Sequence, residues 1–276
     1  MAADYHVHIE NGPYTIEWLK KFIDSGLSKG LVEIGISEHG HRFKEGYSAY
    51  KSDGFRGEWI KSYMDQSISN YVELIKEAKA MGLPVKLGIE ADYFPGKEKE
   101  LKEFLEPYPW DYVIGSVHWI EDWGIDLEES IEEWKSRDTD EVYLEYFNII
   151  EKMAKTGLFD IIGHIDLVKI FGFRAKPYTF DKIRQNIEEI SKTGIVIEVS
   201  TAGLRKPVGE IYPSKEIMGM IKKYNIPIVV NSDAHNPYDV ARDFDKAYAY
   251  VKSYGINTLY YFEGRKKLPY NRVGAE

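Results

Sequence analysis

The stretch DYHVHIE at residues 4–10 governs how the rest of the chain is read. Its period is that of a strand, in which residues two apart share a face, so His6 and His8 aim two imidazoles at one spot. The chain has only seven histidines in 276 residues. Two of them at the end of one short apolar strand raise the question of where the other five fall.

Short, nearly all-apolar segments recur at 33–37, 85–94, 111–119, 160–165, 194–200 and 226–233, the pattern of strands buried on both faces. Amphipathic stretches at 15–29, 59–81, 97–106, 138–156, 180–193, 214–224 and 239–254 predict helices between them. Thr179 or Asp181 stands near one start, and Gly82, Gly157 and Gly194 follow three ends. Seven strand–helix units imply an α/β fold with parallel strands inside and helices outside. The length suits one barrel-like domain over 1–276. A last apolar stretch at 257–262 reads as an extra strand. The longest irregular segments are 41–57 and 120–137, and long loops in such folds are often functional.

Composition removes several classes. There are no cysteines, hence no disulfide, thiolate metal site or cysteine nucleophile. A net charge of −9 argues against a nucleic-acid-binding surface, although a small anionic substrate could still bind at a local positive site. No apolar run is long enough for a membrane span, and the N-terminus has no secretory pattern, so a cytoplasmic protein is expected. A homo-oligomer is compatible with all of this.

The remaining histidines fall at strand ends. His39 follows the second strand in SEHGH, His118 ends the fourth in GSVHW, His164 ends the fifth in GHID, and His235 follows the seventh in NSDAH. Glu90 and Asp233 join them on the third and seventh strands. In parallel barrels the C-terminal strand ends form the active face. Each residue alone has a plain explanation: His39 beside a cap, His164 in a hydrogen-bonded core, Glu90 in an ion pair, Asp233 capping a turn. Their convergence points instead to metal, because buried unpaired polar groups are costly and few cations lie nearby. Nitrogen and oxygen ligands without sulfur suit zinc, manganese or iron.

With these motifs the chain resembles the PHP superfamily of metal-dependent phosphoesterases. Within it, GHIDLVKIFG (163–172) and STAGLRKPVGEIYPS (200–214) look like signatures of the histidinol-phosphate phosphatases of histidine biosynthesis. The resemblance implies a distorted seven-stranded β/α barrel holding three divalent ions, zinc first and manganese or iron as alternatives. It implies His6, His8, Glu90 and Asp233 around the first ion; Glu90, His118 and His164 around the second; and His39 with His235 around the third. Many relatives supply the third ion with another histidine a few residues after the HxH pair, where this chain has IENGPYTIEW. Glu17 is the expected replacement and Glu10 the fallback.

The implied chemistry is phosphomonoester hydrolysis, with L-histidinol phosphate as substrate. Ions about 3.5–4 Å apart share a hydroxide that attacks phosphorus in line with the leaving alkoxide. Arg205 is the leading phosphate clamp, since a guanidinium pairs two oxygens at once; Lys169, Arg174 and Arg42 are further candidates. His41 or the Asp233–His235 pair would protonate the leaving group. Three rivals stand beside this reading: an amidohydrolase-type barrel, which usually bridges its metals with a modified lysine where this chain has Glu90; a non-catalytic PHP module; and a PHP phosphatase acting on another small phosphomonoester.

Overall fold

The computed structural model describes residues 2–271. Its strands are β1 (Ala3–Asp4), β2 (Glu33–Ile36), β3 (Val85–Leu87), β4 (Glu90–Asp92), β5 (Ile114–Ser116), β6 (Trp119–Ile120), β7 (Trp123–Gly124), β8 (Ile161–Ile162), β9 (Val196–Ser200), β10 (Ile228–Asn231), β11 (Thr258–Glu263) and β12 (Lys266–Asn271). The helices that carry the argument are α1 (Ile16–Ser28), α2 (Tyr47–Tyr50), α3 (Gly54–Tyr63), α4 (Ile68–Ala80), α5 (Glu98–Leu105), α6 (Ile131–Ser136), α7 (Thr139–Lys155), α8 (Pro177–Thr193), α9 (Lys215–Lys223) and α10 (Phe244–Ser253).

The class is α/β with parallel strands, as expected, but the strands do not form one continuous ladder. One parallel sheet runs β1-β2-β3 and a second runs β10-β9-β8-β5-β4. Isolated parallel bridges join them at both seams, Val7 with Ala234 and His39 with Glu90. The segment expected as one strand over 85–94 is what divides them. It breaks at Gly88–Ile89, so that β3 pairs with β2 while β4 pairs with β5. Gly88 lies against the Tyr112 ring, which leaves no room for a Cβ. The Tyr71 hydroxyl lies 2.9 and 2.8 Å from the carbonyl oxygens of Ile36 and Gly88, and its one proton serves the backbone at the break. This shift delivers Glu90 to the seam.

Every residue of β9 is buried, as a central strand covered on both faces requires. The helices start where their caps allow. Thr15 accepts a hydrogen bond from Trp18 N, and Asp138 accepts from Asp140 N and Glu141 N. The α8 start lies earlier than Thr179 or Asp181: Pro177 takes the first helical position, where its missing N–H costs nothing. Its end is Gly194, at φ 75°.

The expected helix over 59–81 is two helices. The Glu45 carboxylate accepts from Ser67 Oγ and Ile68 N at 2.8 and 3.1 Å and caps α4 from outside. The loop 41–57 contains α2 and two short 3-10 turns. The segment 120–137 holds the β6–β7 hairpin and α6, built on Trp123 and Trp134, the latter stacked on Phe173 at 5.1 Å. At the chain's end the expected strand is half of an antiparallel hairpin, β11–β12. Phe262 from it packs with Tyr5, Tyr112, Ile114 and Val229 and closes the end of the strands opposite the histidines. No helix is long and apolar enough to cross a membrane among the described residues.

Candidate metal centre

The loop after β10 is tied tightly to β1. The buried Asp4 carboxylate accepts from Ser232 N and Ala241 N at 3.0 Å each and from Ser232 Oγ at 2.5 Å. Ala234 N donates to His6 O, and His8 N to Ala234 O. Asp233 is held between these contacts with φ 53°, a conformation that a non-glycine residue adopts only when its surroundings compel it.

Four donors converge as a result. His6 Nε2 lies 3.3 Å from Glu90 Oε1 and 3.6 Å from Asp233 Oδ1; His8 Nε2 lies 3.6 Å from Glu90 Oε2 and 3.5 Å from the same Asp233 oxygen. His6 and His8 approach different oxygens of Glu90, and the atoms that lie mutually close form two three-residue corners, His6 with His8 and Glu90, and His6 with His164 and Asp233. Beside them His164 Nε2 and His118 Nε2 approach Glu90 Oε1 at 3.1 and 3.7 Å. A third corner joins His8, His39 and His235. There Glu10 lies 3.5 Å from His235 Nε2 and 4.0 Å from His39 Nε2.

Buried polar atoms in this cluster have no hydrogen-bond partner: His6 Nε2, both His8 nitrogens, His164 Nδ1 and Glu90 Oε2. His39 Nδ1 stands 2.7 Å from Glu90 Oε2 without hydrogen-bond alignment. Imidazoles and carboxylates crowded together without hydrogen-bond alignment are what a cation reconciles, so the residues present fit a nitrogen–oxygen metal site without sulfur.

With protons as the only cations, the charges set the titration. Burial works against the charged forms of His6, His39 and His118, yet their carboxylate neighbours prevail. His6 is held well above its ordinary value by Glu198, Glu90 and Asp233, His39 rises to about 9, and His118 rises to about 10 beside Asp92. Burial and then the neighbouring His39 and His235 drive His8 down to about 3. Burial opposes ionisation of Glu90 and Asp233 as well, but the surrounding imidazoles hold both well below the usual carboxylate range. Glu10, likewise buried, is lowered to about 2 by His39, His8, His235 and Arg42.

Other expected residues fall elsewhere. Glu17 is exposed in the first turn of α1 and touches none of the cluster, because the chain swings outward at 10–15 before the helix starts. Glu10 lies within 4.0 Å of the His39 and His235 imidazoles. Arg205 Nη2 donates to the carbonyls of Ser232 and Asp233 at 2.6 and 3.2 Å, beside the cluster, while its Nη1 is buried without a hydrogen-bond partner among the described residues. Lys169 is buried against Ile211 O, Asp166 and the Tyr212 ring, and Arg174 is paired with Glu210; neither reaches the cavity. Arg42 contacts Glu10 and Glu38 behind the third corner. His41 does line the cavity, with Nδ1 3.0 Å from Asp92.

Two carboxylates escaped the sequence reading. Glu198 sits 2.9 Å from His6 Nδ1 and Asp92 sits 2.6 Å from His118 Nδ1, each turning the other ring nitrogen toward Glu90. Their signal was present as an acid inside an apolar strand and an acid two residues after Glu90. The cluster floors a cavity of about 250 Å³, walled by Trp59, Trp119, Leu167, Ile170, Asp126 and Lys206.

Residues 4–202 match the PHP domain model, and the chain belongs to that family. It is 37% identical over 267 residues to a protein named probable histidinol-phosphatase from Deinococcus radiodurans, covering 97% of this chain and 98% of that one. It is 27% identical to the histidinol-phosphatase of Bacillus subtilis, over 88% of this chain and 96% of the relative. The fold matches the crystal structure of histidinol phosphate phosphatase from Lactococcus lactis complexed with zinc, L-histidinol and phosphate, with a TM-score of 0.73, 20% identity, and coverage of 97% and 98% of the two chains.

Proposed function

We propose that this chain is a metal-dependent phosphomonoesterase that hydrolyses L-histidinol phosphate to L-histidinol and phosphate, a step of histidine biosynthesis. The observation that carries this reading is the buried corner of His6, His8 and Glu90, with Asp233 3.5–3.6 Å from both imidazoles, on the floor of a small cavity. Relatives named for that activity extend over almost the whole chain.

Three ions are assigned: the first to His6, His8, Glu90 and Asp233, the second to Glu90, His118 and His164, and the third to His39, His235 and Glu10. Divalent ions held there, zinc first among them and manganese or iron after it, would activate water near neutral pH and offset the charge of the phosphoryl group. Glu198 and Asp92 fix the tautomers of His6 and His118, and Arg205 keeps Asp233 in place. Either His41, whose Nδ1 is held by Asp92, or the Asp233–His235 pair would pass the proton released by the attacking water to the departing alkoxide. No protein nucleophile is required.

Metal analysis combined with phosphate release from a panel of small phosphomonoesters tests the reading. The expected result is about three ions per chain and the highest kcat/KM on L-histidinol phosphate. A protein that retains no metal and releases no phosphate overturns it. A metal-loaded enzyme that prefers another ester leaves the class standing and removes the substrate.

A further inference from the structure

His164 differs from His6 and His118 in what stands behind its ring. Those two each present Nδ1 to a buried carboxylate, Glu198 and Asp92, whereas His164 Nδ1 has no hydrogen-bond partner among the described residues. Its Nε2 nevertheless lies 3.1 Å from Glu90, on a backbone with φ 22° that a residue with a side chain rarely adopts. Packing has to set the orientation of this imidazole. Three rings touch it: His118 at 5.2 Å and His6 at 5.5 Å belong to the cluster, and Tyr212, edge to face at 6.3 Å, does not.

Tyr212 is held in turn by an ion pair sealed from water. Asp166 and Lys169 are 2% and 1% exposed and lie 3.2 Å apart. Both reach from the loop after β8, which carries His164, to the loop around Tyr212. Asp166 accepts from Ser214 N at 2.7 Å, and Lys169 donates to Ile211 O at 2.8 Å with its ammonium 5.1 Å from the centre of the Tyr212 ring. Tyr212 also exchanges both backbone hydrogen bonds with Ser200 at the end of β9. Its buried hydroxyl has no hydrogen-bond partner among the described residues, so the ring is what it contributes. Desolvation offsets most of the attraction in such a buried pair, which leaves the fixed register of the two loops as its main effect.

We propose that Asp166 and Lys169 are positioning residues that hold the Tyr212 ring against His164 and so keep that imidazole turned toward Glu90. They do for His164 what Glu198 and Asp92 do for His6 and His118. The inference rests on the assignment of His164 to the second ion in the phosphatase reading above.

Divalent cobalt is the probe, because its visible absorption reports the ligands around it without turnover. Metal-free wild type, Tyr212→Leu, Tyr212→Phe and the double variant Asp166→Asn with Lys169→Met are titrated with cobalt, and phosphate release from L-histidinol phosphate is measured beside them. The double variant removes both charges, so no lone charge is left buried. A His164→Asn control identifies the cobalt transition that belongs to His164. Tyr212→Leu should weaken that transition by about 10–100-fold, the double variant should weaken it in the same direction, and the other transitions should hold. Tyr212→Phe keeps the ring and should match wild type within about twofold. Titrations of Tyr212→Leu and the double variant that match wild type overturn the inference, as does equal weakening of every transition or an equal loss in Tyr212→Phe. A His164→Asn protein that titrates like wild type overturns the assignment of His164 and the inference with it. A wild type that binds cobalt but releases no phosphate overturns the phosphatase reading, and the titrations then decide the positioning role by themselves.

Discussion

The cluster has a sealed corner and an open one. His6, His8 and Glu90 are almost wholly buried and Asp233 is 12% exposed, whereas the side chains of His39, Glu10 and His235 are 17%, 21% and 35% exposed. The sealed donors leave the ends of paired strands and are braced by Glu198, Asp4 and Arg205. The open donors leave loops, and Glu10 is braced chiefly by Arg42. Burial raises the cost of separating the sealed donors from a cation, since water cannot replace it. Ions should therefore be held unequally, tightly at the sealed corner and exchangeably at the open one.

The largest effect that would break this contrast is at Glu90. Glu90→Gln should lower turnover by about a thousandfold or more and reduce bound metal while circular dichroism stays native. Near-normal activity would mean that the sealed corner does not bear the chemistry. Glu198→Gln keeps the shape but frees the His6 ring, and metal affinity or activity should fall by about 10–100-fold. An unchanged metal titration would show that strand packing alone orients His6.

Glu10→Ala acts on the open corner. Bound metal should drop from about three ions toward two, with activity recovering at high added metal. Equal loss from both corners would erase the distinction. The smallest effect is expected at Glu17, where alanine should cost under about 1 kcal/mol through the helix dipole and leave metal stoichiometry alone. A lost ion in that variant would restore Glu17 as a ligand.

The sealed corner was readable because its residues obey strand periodicity: His6 and His8 share a face, and Glu90, His118 and His164 each stand at a strand end. Glu17 was misjudged because helix order says where α1 begins but not how far residues 10–15 carry it from the rim. Arg205 has the right chemistry for phosphate, and what its sequence context could not show is that Nη2 is anchored on carbonyls 27 and 28 positions away. Glu198 and Asp92 looked like ordinary strand residues because the histidines they orient lie 192 and 26 positions distant. Likewise the break at Gly88 depends on Tyr71 and Tyr112, two rings brought there only by the finished fold.

That break has a mechanical consequence. It places Glu90 on the five-stranded sheet together with the strands leading to His118, His164, Asp233 and His235, while His6, His8 and His39 extend from the three-stranded one. The two ladders meet through isolated bridges, so an ion shared between His6 or His8 and Glu90 would act as a further rivet across the seam. Loading the centre and locking the two halves of the scaffold together are then one event, and the free energy of binding is spent partly as rigidity.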